Sequence, residues 1–121
     1  MENSEFLFEK LDVYQKSLNL SIKVCKEIVK IPYKYARIRD QLIGAIISIP
    51  LNIAEGSGRT SSKEKANFYK IARGSGFEYI PLLKILWKLD LVTEEIVSKW
   101  RILISEICRM LSGLIRYQKG R

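Results

Sequence analysis

The chain has 121 residues, 47% of them hydrophobic, and carries 21 lysines and arginines against 13 acidic residues, giving a net charge of +8 with no histidine. A domain of this length buries roughly two-thirds of its unfolded surface and needs no disulfide framework, while the lack of histidine removes the commonest general base and metal ligand. The positive excess points to polyanionic partners, RNA or DNA foremost.

The first ten residues, MENSEFLFEK, carry acidic groups and lack the basic and apolar regions of a secretory signal, which predicts a cytoplasmic protein. A first helix is predicted over 12–30. One seam, Leu11, Tyr14, Leu18, Ile22, Cys25 and Val29, recurs at steps of three and four, and Val13, Leu20, Val24, Ile28 and Ile31 form a second. Asp12 is expected to cap this helix with Gln15 as reciprocal partner, Pro32 and Tyr33 mark its exit, and Phe6 and Phe8 are expected to pack beneath it.

The second helix is predicted over 38–56. Its apolar residues Leu42, Ile43, Ala45, Ile46, Ile47, Ile49, Leu51, Ile53 and Ala54 leave no broad polar face, so it must be covered on most sides. Together with the two seams of the first helix, that exceeds what one bundle core can cover and predicts a homo-oligomer. The run of 13 residues from Leu42 to Ala54 falls short of the roughly 20 needed to cross a bilayer, so no membrane partner is expected. Pro50 should bend the helix, and Gly56-Ser57-Gly58 should stop it.

Ser61-Ser62-Lys63-Glu64 has capping-box spacing and opens a third helix predicted over 62–89. Gly74, Gly76 and Pro81 each weaken a helix and suggest a close approach or a kink. After a turn at Asp90 to Thr93, Glu94-Glu95 begins a fourth helix over 94–118. Its stripe runs Val97, Trp100, Ile104, Ile107, Leu111 and Leu114, and the tail YQKGR is expected to fray. Short connections between four long helices predict one all-α domain over 1–121, an antiparallel up-down-up-down four-helix bundle.

Little in this chain suggests catalysis. Cys25 and Cys108 lie inside apolar periodic segments and read as small buried thiols in a reducing compartment. They cannot complete a zinc site alone, no P-loop or dinucleotide fingerprint is present, and Glu55 with Glu78 lacks the Glu-x-x-His pattern of bundle di-metal sites. No catalytic residue, metal or cofactor is expected. Glu55 and Arg59 have the favourable i,i+4 order, with Asn52 one turn earlier, and predict a structural polar ladder. The alternative for these groups is contact with an anion or a second subunit. Candidate nucleic-acid contacts are Arg37, Arg39, Arg59, Lys63, Lys65, Lys70 and Arg73, near the ends of the second and third helices, with Lys84, Lys88, Arg101, Arg109 and Arg116 beyond them. No RNA-reading aromatic motif is visible, so backbone contact with little base selectivity is expected.

Gln41-Leu42, Ser48-Ile49-Pro50, Asn52-Ile53-Ala54-Glu55-Gly56, Arg59, Phe68, Ile71-Ala72, Gly74-Ser75, Glu78 and Met110-Leu111 together resemble the proteins encoded in intervening sequences of bacterial 23S ribosomal RNA genes, over about residues 6 to 118. The resemblance implies an antiparallel four-helix bundle assembling as a homopentamer, without established enzymatic activity. It marks Gln41, Asn52, Glu55, Gly56, Arg59, Ser75 and Glu78 as a structural polar motif. Where that family often carries basic residues after the Gln-Leu pair, this chain has Ile43-Gly44. A related group, the accessory proteins of diversity-generating retroelements, contacts nucleic acid and a reverse transcriptase. The resemblance therefore implies, as an alternative role, a scaffold that binds a protein partner.

Overall fold

The computed structural model of the protein describes residues 6–121; the first five residues of the N-terminal segment, on which part of the targeting expectation rests, lie outside the described residues. The described residues form four α-helices and no strand: α1 (Asp12–Ile28), α2 (Ala36–Ser57), α3 (Ser62–Lys88) and α4 (Glu94–Lys119), with short 3-10 turns at Leu7–Lys10 and Tyr33–Tyr35. Helix α1 packs on α2 and α4, α2 on α3, and α3 on α4, so the four close a ring around one core in which Tyr79, Ile46, Ile49, Ile53, Leu83, Leu86 and Leu111 have no exposed surface. None of the helices is long and apolar enough to cross a membrane.

Two apolar seams compete on α1, and the core takes the second. Val13, Leu20, Val24 and Ile28 are buried with Ser17 and Ser21 on the same face, whereas Leu18, Ile22 and Val29 of the first seam stay exposed. The α1 start differs from expectation. Leu11, not Asp12, is the N-cap, with no side-chain cap bond, and the Gln15 amide donates to the Glu9 carbonyl at 2.8 Å. The chain enters from the preceding 3-10 turn with Leu11 extended, so Asp12 is already helical and its carboxylate lies in the first turn, where the helix dipole favours it. Phe8 meets Tyr14 edge-on at 5.0 Å, and Phe6 lies 5.8 Å from Phe8. The helix ends two residues short of expectation because Lys30 and Ile31 donate to Glu27 and Ile28 in a tightened turn before Pro32.

Proline inside α2 leaves one carbonyl without its helical donor. Pro50 has no N–H to offer the carbonyl of Ile46 one turn back, and Ile46 is fully buried, away from water. Ser21 of α1 meets that orphan: its hydroxyl lies 3.1 Å from the Ile46 oxygen and 2.8 Å from that of Ser17. The exposed Pro81 of α3 needs no such partner, since its freed carbonyl is on Phe77, itself exposed.

Glycines explain the close approach of α3. A Cβ at Gly56 would lie 2.8 Å from Phe68 Cβ and 3.3 Å from the Lys65 carbonyl, so Gly56 is a contact point inside α2, while the helix stops within Gly56-Ser57-Gly58 as expected, its last residue Ser57 and its C-cap Gly58. Gly76 does the same against α4, where a Cβ would lie 2.7 Å from Cys108 Sγ, while Gly74 faces open space. At the end of α3 the Asp90 and Leu91 amides donate to Trp87 and Leu86, and Asp90 takes the left-handed φ of 61° that such a termination requires. Helix α3 opens with Ser61 accepting from the Glu64 amide at 3.0 Å, as the capping-box spacing predicts, and Thr93 caps α4 by accepting from the Ile96 amide.

Candidate nucleic-acid interface

The polar motif read from the sequence divides into separate parts. Asn52 donates to the Ser48 carbonyl at 2.8 Å and the Ser48 hydroxyl at 2.9 Å, and Ser75 donates to that same hydroxyl at 2.9 Å, which pins α2 to α3. Ser48 is thus the centre of a network of which the expected polar motif held only the two ends, Asn52 and Ser75. Glu55 is not in it. Its carboxylate binds Arg59 at 2.6 Å, and the Arg59 guanidinium lies 4.7 Å over the Phe68 ring. The expected ladder from Asn52 to Arg59 is therefore broken, because Asn52 faces Ser48 in the previous turn. Gln41 and Glu78 are exposed and stand outside both groups.

Basic candidates separate in the same way. Arg37 and Arg39 sit at the start of α2, one helix length of about 33 Å from Arg59 at the other end, so these cannot share one phosphate. Arg39 also lies 3.4 Å from the Asp40 carboxylate. Near the start of α3, Lys65 donates to the Ser57 carbonyl at 2.9 Å and so caps α2, while Arg59 is held by Glu55 and Phe68. Arg59 therefore has its charge paired, and Lys65 gives a donor to the end of α2. Lys63 is exposed.

Farther along, Lys70 and Arg73 face the end of α4. Arg73 donates to the Ser112 hydroxyl at 3.0 Å across the helix pair. The Lys70 ammonium is pushed below the usual lysine range, chiefly by Lys119 beside it, then by desolvation and the charge of Arg73. Lys119 was missed at the sequence level because the tail was expected to fray, yet α4 runs through it. A helical stripe of the right spacing was present to reveal it: Lys70, Arg73, Phe77, Lys84 and Lys88 recur at steps of three, four or seven on α3, and Arg101, Ser105, Arg109, Ser112, Arg116 and Lys119 at steps of three and four on α4.

None of the basic residues in these two stripes makes an ion pair among the described residues. Beyond its first turn α4 has one carboxylate, Glu106, and it turns the other way, bonding Lys16 of α1 at 2.9 Å. That bond holds Glu106 below the usual carboxylate range, with a smaller contribution from Arg109. Burial pushes the Cys108 thiol up, opposed by Arg73, and both cysteines are free and half-buried. Among the described residues, no group of three or more His, Cys, Asp or Glu side chains could hold a metal ion. The carboxylate candidates Glu55 and Glu78 do not form a pair, since Glu55 is tied to Arg59.

The opposite face, between α1 and α2, is apolar. Leu18, Ile22, Ile47 and Leu51 line an open groove of about 610 Å³ with Pro50 and Ala54, and Leu51 is 63% exposed.

Residues 9–113 match the family described as 23S rRNA-intervening sequence protein. No curated protein matches the chain. Among solved structures, a protein of unknown function from the S23 ribosomal protein family of Bacteroides thetaiotaomicron VPI-5482 has a TM-score of 0.80 at 22% sequence identity, covering 86% of this chain and 95% of that one. At that identity the likeness shows the fold.

Proposed function

As the chain belongs to the 23S rRNA-intervening sequence protein family, we propose that it is a non-enzymatic accessory protein of the cytoplasm whose α3–α4 face grips the phosphate backbone of RNA or DNA. The reading includes an up-down-up-down antiparallel bundle that assembles as a homo-oligomer, a pentamer following the resemblance, through the apolar α1–α2 face. The observation that carries the nucleic-acid contact is the convergence of Lys70, Arg73 and Lys119 with no carboxylate between them. Phosphate oxygens supply the charge this cluster lacks, and neighbouring Arg109 and Arg116 continue it along α4.

The test is a binding titration of duplex and single-stranded probes at several salt concentrations. Lys70→Glu with Lys119→Glu is expected to lower affinity and to flatten the salt dependence, the slope falling by about 0.9 for each duplex phosphate that is no longer neutralised. Arg37→Glu with Arg39→Glu, a helix length away, is expected to change neither. Equal losses from both pairs would mean that net charge alone matters, and no binding at low salt would end the reading.

The second reading is a scaffold for a protein partner such as a reverse transcriptase, and the exposed apolar α1–α2 groove favours it. If the chain self-associates through that groove, the scaffold reading loses its surface.

A further inference from the structure

We propose that the groove between α3 and α4 at Phe77 takes an unpaired nucleobase, so that the protein holds single-stranded nucleic acid in preference to duplex. This rests on the reading of the α3–α4 face as a phosphate-binding surface and adds what that surface selects. Phe77 is 60% exposed and stands on the basic stripe of α3, four residues after Arg73 and seven before Lys84. It lines a groove of about 380 Å³ with Ile80, Arg101, Ser105, Arg109 and Ser112.

Gly76 brings the two helices together at this groove, where a side chain would collide with Cys108, and the exposed Phe77 is among the groove's lining residues. Arg101 and Arg109 lie on the α4 side, exposed and without ion-pair partners among the described residues.

The occupant follows from charge and shape together. An apolar helix would cover Phe77 but would strand two unpaired guanidinium groups, which is costly. An acidic peptide would satisfy the arginines and leave the ring wet. A single-stranded nucleotide does both, with the base face on the phenyl ring and flanking phosphates on the arginines. Ser112 is already held by Arg73, whereas the exposed Ser105 hydroxyl is available to a base edge. In a duplex the bases are stacked on one another and cannot reach the ring. Stacking of this kind tolerates any base, which agrees with a surface lacking groove-reading residues.

The experiment compares three probes on the whole chain: an oligouridylate of about 12 nucleotides, an abasic ribose-phosphate strand of the same length, and a duplex RNA of that length. The wild-type protein is expected to prefer the oligouridylate. Phe77→Leu, which keeps an apolar side chain at an exposed position, should remove that preference by weakening oligouridylate binding about 5- to 100-fold while the abasic and duplex affinities stay put. Phe77→Tyr should retain it. Equal wild-type binding of base-bearing and abasic strands, a preference that survives Phe77→Leu, or equal weakening of all three probes would overturn the base site and leave the phosphate-binding reading standing. Failure of every probe at low salt would overturn that reading itself, and the base site with it.

Discussion

Ser21→Ala tests the pairing of a helix-interior proline with a serine on another helix. The single Ser21 hydroxyl proton is shared between two carbonyl acceptors, and its removal matters differently to each. The Ser17 oxygen already receives the helical N–H of Ser21 and can do without the hydroxyl, but the Ile46 oxygen has no Pro50 N–H, is fully buried and has the shared hydroxyl proton as its donor. Leaving it unpartnered costs about 1–3 kcal/mol. In a Pro50→Ala background the restored amide takes the Ile46 oxygen, and Ser21→Ala should then cost under ~1 kcal/mol. The predicted coupling is about 1–2 kcal/mol, within the range seen for groups sharing one bond. Urea unfolding of the wild type, both single variants and the double, all at one protomer concentration because self-association shifts apparent stability, measures it. Equal cost of Ser21→Ala in both backgrounds would refute the pairing and assign the effect to Ser17.

Three further outcomes follow from the packing. Gly56→Ala should destabilise by about 1–3 kcal/mol despite its better helix propensity, because Phe68 Cβ at 2.8 Å cannot move aside, whereas Gly74→Ala, facing open space, should stabilise by up to ~1 kcal/mol; thermal melts of the two variants decide it. Glu55→Ala should cost only about 0.2–1 kcal/mol, since the side chains of Glu55 and Arg59 are 52% and 40% exposed, and a loss of several kcal/mol in denaturant titrations would contradict that exposure. Leu51→Asp, harmless to a lone protomer at a 63% exposed position, should dissociate the proposed assembly in sedimentation equilibrium, and an unchanged assembly would move the interface off the α1–α2 face.

The all-α class and four helices were legible because apolar spacing of three and four persists over long segments and Ser61 with Glu64 carries a local cap signal that no tertiary contact overrides. What was not legible depends on partners distant in sequence. Two seams on α1 looked equivalent, and the buried one is disguised by Ser17 and Ser21, whose polarity hides the face that packs against α2. Asn52 was grouped with Glu55 by proximity, yet its partner Ser48 lies a turn back and is bound by Ser75 from α3. Among the basic residues, closeness in sequence drew attention to the α2–α3 junction, where Arg59 and Lys65 turn out to be engaged in capping and pairing. The convergence of Lys70 with Lys119 spans most of two helices, and only their packing brings the two lysines together.

That convergence also bears on why such a surface persists in a folded protein. The folded-state Lys70 pKa is lowered, chiefly by Lys119 beside it, so the charged form is disfavoured on folding at pH values below that depressed pKa. Nothing in the core requires it, because a neutral residue at Lys119 would relieve the repulsion without disturbing a buried contact. A cluster of like charges that contacts no acidic group is the pattern expected where charge serves a ligand rather than the fold. The ring of neighbours keeps the two proposed surfaces apart, since the α3–α4 face lies across the core from the apolar α1–α2 face. In the proposed assembly the apolar faces meet other copies while the basic stripes point outward. In that arrangement each added subunit would extend the proposed polyanion-binding surface instead of covering it, and several weak backbone contacts would together be avid without any one of them being selective.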